Sequence, residues 1–214
     1  METPVQKSWR EANKNYLMAW LEPVRQALKR ASSNQSSELT LSEASTPEFP
    51  TMEHDASPAL DVLGSLFKLS AFERDILLLC TGVEIDSEFA QLCAAAQSDP
   101  QRSYPTFNLA LAILPNSYWF ALSPVAPLRY WRLIEVEVSR SLISSPLRID
   151  ERILHYLVGL SHLDRRLAEL FQPLAASTSL LPSHQAIARE IVAAWSSSAC
   201  RDDAADLPVI QLCG

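Results

Sequence analysis

The sequence predicts a mainly α-helical fold with one small β-hairpin, that is, an α+β fold with few strands. Three observations support this prediction. Apolar residues recur at helical spacing in most segments. Only four of the 214 residues are glycine and 14 are proline, a composition that favours helices divided into short elements. One stretch, Tyr130–Val138, instead alternates and is rich in β-branched and aromatic residues, as strands are.

The predicted hairpin organises the rest of the chain. Ser139–Ser145 is polar and is expected to form the far end of the hairpin, and Pro146–Ile149 is expected to be its second strand. Asp150 is a good helix N-cap. The apolar residues that follow it are spaced as one helical stripe: Ile153, Leu154, Leu157 and Leu160. We therefore expect a helix that docks directly after the hairpin.

Two helices are predicted at the start of the compact domain. Pro58–Lys68 begins with a proline, which suits the first helical position. Ser70 and Glu73 fit the S-x-x-E capping box and open a strongly apolar helix, Phe72–Thr81, which Gly82 is expected to stop. The apolar run within that helix predicts that it is the central buried one.

Two more short helices come before the hairpin. Asp86 is expected to cap Ser87–Gln97, and Pro105–Leu114 is the last helix, with one further turn within Asn116–Leu122. Short helices followed by a two-stranded hairpin is the order of a winged-helix fold. Pro105–Leu114 then has the position of the recognition helix, and the hairpin is the wing.

The domain layout follows from composition. Residues 1–31 are predicted to form an amphipathic helix, 32–57 a disordered linker rich in Ser, Thr, Glu and Pro, and 58–160 the winged-helix-like domain. Residues 161–206 are predicted to be a helical connector, and 207–214 a strand that begins another domain. Pro23 is expected to kink the first helix or to begin a second one. The first helix is expected either to pack on its own domain or to dock on a partner.

Charge and side-chain type favour a protein partner over DNA. The net charge is −7, and the predicted recognition helix contains neither Lys nor Arg, whereas DNA binders neutralise several phosphates. Only the wing offers possible nucleic-acid contacts, at Arg129, Arg132 and Arg140. We therefore expect a protein-interaction domain, with a DNA-binding regulatory domain as the alternative. The apolar residues expected to contact the partner are Trp9, Tyr16, Trp20 and Phe107.

No catalytic or metal-binding set is apparent among the 214 residues. The four histidines have no spacing that gathers metal ligands. Cys80, Cys93, Cys200 and Cys213 form no CxxC pair, and we expect reduced thiols of a cytosolic protein. No apolar run reaches the ~18–20 residues of a membrane span, so no membrane association is expected.

Three strings resemble a known family. They are PTFNLALAILP at 105–115, PLRYWRLIEVE at 127–137 and SPLRIDERILHYLVGL at 145–160. They are similar to the N-terminal winged-helix region of bacterial AAA+ ATPases that are associated with contractile injection systems. The resemblance implies an adaptor or regulatory domain of a cytoplasmic ATPase that remodels a protein assembly. Its partners would be its own AAA+ domain and neighbouring subunits of a ring.

The resemblance also implies a cofactor for the full-length protein. Leu207–Leu212 would be the first strand of the AAA+ module, and Gly214 would be the first glycine of its phosphate loop, G-x-x-x-x-G-K-[ST]. The remaining residues of that loop would follow Gly214. ATP and Mg²⁺ are therefore expected in the full-length enzyme, and no cofactor is expected in these 214 residues alone.

Overall fold

The computed structural model describes residues 4–33, 57–137, 141–160, 181–199 and 210–211. The chain divides into two units, Met1–Asp164 and Arg165–Gly214. Three predicted segments lie largely outside the described residues. They are the linker at 32–57, the connector at 161–206 apart from residues 181–199, and the strand at 207–214 apart from residues 210–211. Arg140, Cys200, Cys213 and Gly214 also lie outside the described residues.

Helices dominate the described residues of the first unit. The described helices of the first unit are α1 (Pro4–Ser32), α2 (Ala59–Leu66), α3 (Ala71–Ile85), α4 (Ser87–Ala96), α5 (Phe107–Ile113), α6 (Pro127–Tyr130) and α7 (Glu151–Leu157). Short 3-10 turns lie at Trp119–Leu122 and Leu142–Ser144. β1 (Ile134–Val136) and β2 (Leu147–Ile149) form one antiparallel pair. The predicted mainly α fold with a small hairpin is confirmed.

The second unit contributes one described helix, α8 (Pro182–Ala199). It lies within the segment predicted to be a helical connector. Its exposed large apolar residues are Ile187, Val192 and Trp195.

α3 is the central helix of the first unit, as its apolar run predicts. Every residue from Ile76 to Cys80 is almost fully buried, which only a helix covered on all sides can achieve. The predicted capping box is present: Glu73 N donates to Ser70 Oγ at 3.2 Å, and Ser70 N donates to Glu73 Oε2 at 3.0 Å. Both local signals in this segment therefore act as the sequence indicates.

The prediction that Gly82 stops this helix is wrong, because α3 continues to Ile85. A Cβ atom at position 82 would lie 2.5 Å from ring carbons of Phe89 on α4. The absence of a side chain there lets α4 approach α3 closely. Gly82 therefore serves helix packing.

The hairpin is shorter than predicted and begins later. Ile134 pairs with Ile149 and Val136 with Leu147, but Pro127–Tyr130 forms a helical turn with Pro127 in its first turn. The predicted strand start at Tyr130 is therefore wrong, since the helix start that Pro127 favours takes precedence over local alternation. At the end of the hairpin, Asp150 is the N-cap of α7, as predicted.

α1 packs into the first unit as one helix, with Pro23 inside it. It contacts α3, α4, α5 and α7. Its buried apolar face consists of Tyr16, Leu17, Leu21, Val24, Ala27 and Leu28. Of the two expectations for this helix, packing on its own domain is the one that the structure shows.

Candidate functional site

The residues predicted to contact a partner lie mainly in the core. Phe107 is 0% exposed and Tyr16 is 8% exposed, whereas Trp9 and Trp20 are half-buried. The prediction that Phe107 is exposed is wrong: α5 is only seven residues long, and its apolar side faces the core. Burial of this aromatic ring supplies much of the hydrophobic free energy by which such a short helix stabilises the fold.

Polar contacts fix α1 in place. The buried side chain of Asn13 accepts a hydrogen bond from Ala59 N and donates one to Leu157 O, both at 2.8 Å. Tyr16 Oη donates to Asp61 Oδ2 at 2.7 Å. α1 thus joins the start of α2 to the end of α7. The sequence analysis does not predict this linking role of Asn13, although a lone Asn within the apolar stripe of an amphipathic helix is a recognisable signal.

The three wing arginines are in three different situations. Arg129 Nη1 donates to the backbone oxygen of Leu122 at 2.6 Å, so its guanidinium connects α6 to the preceding 3-10 turn. Arg132 is exposed and has a left-handed backbone, with φ of 53°. Arg140 lies outside the described residues. The structure therefore does not gather the three into one described cationic face.

The hairpin carries carboxylates beside its cations. Arg148 forms an exposed ion pair with Glu137 at 3.4 Å. A groove beside β2 is lined by Arg148 and by four acidic residues: Glu84, Glu135, Asp150 and Glu151. This arrangement opposes the approach of a phosphate backbone, because the carboxylates outnumber the single arginine.

A large exposed apolar surface lies just before the hairpin. We define the aromatic surface as Trp119, Phe120, Val125, Tyr130 and Trp131, each of which is at least 50% exposed. The first two stand on the 3-10 turn, and Tyr130 stands on α6, which contacts that turn. The rings of Tyr130 and Trp131 meet edge to face with centroids 4.9 Å apart.

The segment that carries this surface is anchored at both ends. Tyr118, which precedes it, packs its ring on Phe72 at 5.6 Å between centroids. The Tyr118 and Ser70 hydroxyl oxygens lie 2.9 Å apart and share a hydrogen bond. Leu128 and Leu133 are fully or almost fully buried. The exposed rings are therefore held on a fixed support and do not belong to a loose loop.

An apolar groove continues from this surface. It lies between α2 and α7, has a volume of about 320 Å³, and includes Leu66, Phe67, Ile153 and Tyr156 in its lining. The Phe67 ring contacts the ring of Trp131, with centroids 5.6 Å apart. The groove and the aromatic surface are thus joined through this ring pair. Sequence reasoning missed both, although an aromatic pair among turn residues and prolines, at 119–120, was a usable signal.

The two described thiols are unsuited to nucleophilic chemistry. Burial raises the pKa of Cys80 far above its ordinary range, with a smaller contribution from the neighbouring Cys93, and burial raises the pKa of Cys93 to about 12. Both therefore stay protonated and unreactive at neutral pH. Within the described part of the chain, no group of three or more His, Cys, Asp or Glu residues is placed to hold a metal ion.

Comparison with known proteins gives one match. A family model described as "Winged helix domain, variant" matches residues 6–171. No curated protein and no solved structure matches the chain. Each helix in the described residues is too short or too polar to cross a membrane.

Proposed function

This chain belongs to the variant winged helix domain family, and we propose that it is a non-catalytic protein-interaction domain whose contact surface is the aromatic surface. Membership of that family supports a regulatory or interaction role. The further step, to a protein as the partner, depends on which side chains the domain leaves exposed.

The observation that carries this proposal is the clustering of exposed rings at residues 119–131. An aromatic side chain has about 150–250 Å² of surface, so five half-exposed residues present on the order of 400 Å² of largely apolar area. The largest apolar patch on a folded monomer is typically about 300–600 Å² and is often functional. Aromatic residues are also the type most enriched at the centres of protein interfaces.

Site-specific photocrosslinking in the host cell tests the proposal. A benzophenone amino acid replaces Phe120 in one variant of the full chain and Gln91, an exposed residue of α4, in a matched control. We expect a discrete protein adduct from position 120 and none from position 91. Equal adduct patterns at the two positions, or no adduct at either, would contradict an interaction role for the aromatic surface.

We propose further that this domain is the adaptor or regulatory part of an AAA+ ATPase that couples ATP hydrolysis to remodelling of a protein assembly. The resemblance of residues 105–115, 127–137 and 145–160 supports it. In this proposal the ATPase is cytoplasmic and uses ATP and Mg²⁺, and the domain contacts its own AAA+ module and neighbouring ring subunits. Trp9 and Trp20 are only half-buried and stay candidates for that contact.

Sequencing the reading frame beyond Gly214 tests the ATPase link. Residues that complete the phosphate loop through G-K-[ST] would support it. A stop codon in that position, or a continuation without the loop, would remove it and leave the interaction proposal standing. The 214-residue chain alone should show no shift in melting temperature with ATP and Mg²⁺.

DNA binding is the second candidate function, because Arg132 on the hairpin side of α6 is exposed and winged helices commonly bind DNA. It requires retardation of duplex DNA that weakens with salt and when Arg129, Arg132 and Arg140 are neutralised. We expect no retardation even at low salt, since Arg148 shares the groove beside β2 with four carboxylates.

A further inference from the structure

The groove between α2 and α7 continues towards the beginning of α2. A shallower depression there includes Ser57 in its lining and shares Val62 and Leu66 with that groove. At the other end of the groove, the Phe67 ring contacts the ring of Trp131. We call the depression and the groove together the α2 groove, which follows Ser57, Val62, Leu66 and Phe67. It connects the start of α2 to the aromatic surface.

The α2 groove is open along an apolar side of its helix. Leu66 is 69% exposed, and removing such a side chain from water is favourable. The part between α2 and α7 has a volume of only about 320 Å³, whereas each partner in a stable complex of separate chains buries about 800 Å². A groove this small suits a short segment that is already attached to the domain.

The chain itself brings such a segment to the groove. Residues 34–56 lie outside the described residues, and the next residue, Ser57, lies in the lining of the α2 groove. The residues that precede Ser57 therefore begin beside the groove. A tether of a few residues gives an effective concentration on the order of millimolar, so even a weak contact is populated.

Two apolar residues of this segment are suited to the groove. Phe49 and Met52 are the large apolar side chains of residues 34–56 that are nearest to Ser57 in sequence. Phe49 precedes Pro50, and a residue before proline favours extended backbone. This restriction lowers the entropy that an extended segment loses on binding.

The segment has more length than its two ends require. Asn13 accepts a hydrogen bond from Ala59 N at the start of α2, and α1 continues beyond Asn13 to Ser32. At 1.5 Å per helical residue, residues 34–56 have to bridge about 30 Å. Fully extended, they span up to roughly 75 Å.

This excess length is enough to reach the groove and return. Leu66 lies about 15 Å from Ser57 along α2, and Phe49 reaches up to about 26 Å from Ser57. Residues 34–48 then span up to roughly 50 Å. The return to Ser32 requires at most about 45 Å, which is the sum of the helix distance and the length along α2.

We propose that Phe49–Met52 occupies the α2 groove of the same molecule and competes there with a protein partner. Phe49 and Met52 lie beside Leu66 and Phe67. Because the Phe67 ring contacts Trp131, a partner that extends from the aromatic surface into the groove has to displace this segment. The competition rests on the proposed interaction function and deepens it by naming how that site is regulated.

Photocrosslinking within the purified 214-residue chain tests the contact. A benzophenone amino acid replaces Leu66, which is exposed and lines the groove. Cleavage after glutamate separates residues 49–53 from position 66, because Glu48 and Glu53 flank that segment. We expect mass spectrometry to find an adduct between position 66 and residues 49–53, in a product with the mass of one chain.

Two controls show whether the contact is specific. Val125 has almost the same exposure as Leu66, at 65%, and a crosslinker there should give no adduct with residues 49–53. With the crosslinker at position 66, Phe49→Ser/Met52→Ser should lower the adduct yield about fivefold through the loss of apolar contact. Leu39→Ser/Leu41→Ser, an equal loss of apolar side chains farther from Ser57, should leave the yield unchanged.

Other outcomes would overturn the inference. Equal adducts from positions 66 and 125, or equal loss in the two serine variants, would show that the segment has no defined contact. An adduct that joins two chains would assign the groove to a second copy. An adduct with residues 161–180 would assign it to the segment after Leu160, which also lines the groove. The absence of any adduct would leave the groove unoccupied.

The regulatory effect is tested in the host cell with the crosslinker at position 120. Phe49→Ser/Met52→Ser should raise the yield of the protein adduct about twofold, because a segment that occupies the groove half of the time no longer competes. An unchanged yield would overturn the competition. If position 120 captures no protein in either background, the interaction role itself fails, whereas the adduct at position 66 decides the intramolecular contact independently.

Discussion

The aromatic residues of α1 and those of the aromatic surface differ in what lies against them. Tyr16 of α1 is buried against the core and hydrogen-bonded to Asp61, and the guanidinium of Arg74 lies over the Trp20 ring at 5.2 Å. Trp119 and Phe120 are more exposed than buried. Both regions contain large aromatic rings on helical segments. The difference is that neighbouring helices cover one region and leave the other open.

That difference separates stability from recognition within one small domain. α1 contacts four other helices and joins the start of α2 to the end of α7 through Asn13, so changes there should unfold the domain. The aromatic surface contributes little to the core, so changes there should affect association. The following predictions test this division, from the largest expected effect to the smallest.

Leu21→Ala tests the stabilising role of α1 most directly. Leu21 is fully buried, and the cavity left by truncation should lower the free energy of unfolding by about 3 kcal/mol. Urea denaturation measures the change. The control is Leu66→Ala on α2, where an exposed side chain should cost no more than about 0.5 kcal/mol. Equal losses in the two variants would mean that α1 is not part of the folded core.

Asn13→Ala should cost about 2 kcal/mol. It leaves the buried Ala59 N–H and Leu157 C=O groups without their hydrogen-bond partner, which is costly inside a protein. Asn15→Ala, at an exposed position of the same helix, controls for the change in helix propensity. The melting temperatures of the two variants should differ clearly. Matching melting temperatures would show that the Asn13 hydrogen bonds contribute nothing to stability.

The third prediction concerns how stability depends on pH through Asp75. This residue lies on α3, the helix that contacts both α1 and α6. Burial raises the pKa of Asp75 from 3.8 to about 6, partly offset by Arg74. Because the folded state holds this proton more tightly than the unfolded state, the free energy of unfolding should fall as pH rises from about 4 to about 6. After allowance for partial exposure, the loss should be about 1 kcal/mol.

Asp75→Asn should remove that pH dependence. The variant should be more stable than the parent above pH 6 and show a flatter profile in urea melts collected across this range. A profile that is unchanged by the substitution would exclude Asp75 as its source.

Trp119→Ser/Phe120→Ser should have the smallest effect on folding, within about 0.5 kcal/mol, because both side chains are exposed. It should lower the binding of a hydrophobic dye such as ANS and remove the protein adduct formed at the aromatic surface, with the crosslinker moved to Tyr130. A large loss of stability would mean that these rings belong to the core. Retention of the adduct would mean that partner contact lies elsewhere.

Local signals predicted much of the helical framework. The S-x-x-E box at Ser70 and the cap at Asp150 each mark a helix start that the structure contains, because a cap satisfies backbone groups within a few residues of itself. Signals failed where a distant contact decides: Gly82 reads as a helix stop in the sequence, but the Phe89 ring explains it.

The candidate site was largely beyond sequence reasoning. The periodicity of α1 and α5 correctly indicated apolar faces, but it could not indicate whether another element covers them. The sequence therefore predicts Phe107 as a contact residue although it is buried, and it does not single out Trp119, which is exposed. The groove and the aromatic surface are joined by a contact between the rings of Phe67 and Trp131, which no local pattern in either segment signals.

The sequence by itself determined the mainly helical content, the presence of a hairpin with its second strand before Asp150, the central helix α3 and the acidic net charge. These properties depend on residue type and short-range spacing. Only the tertiary structure decided that α1 joins α2 to α7 through Asn13, that Arg129 is bound to a backbone oxygen, and that the rings of Phe67 and Trp131 meet. Burial and charge clustering depend on which distant elements pack together, and that is a property of the whole fold.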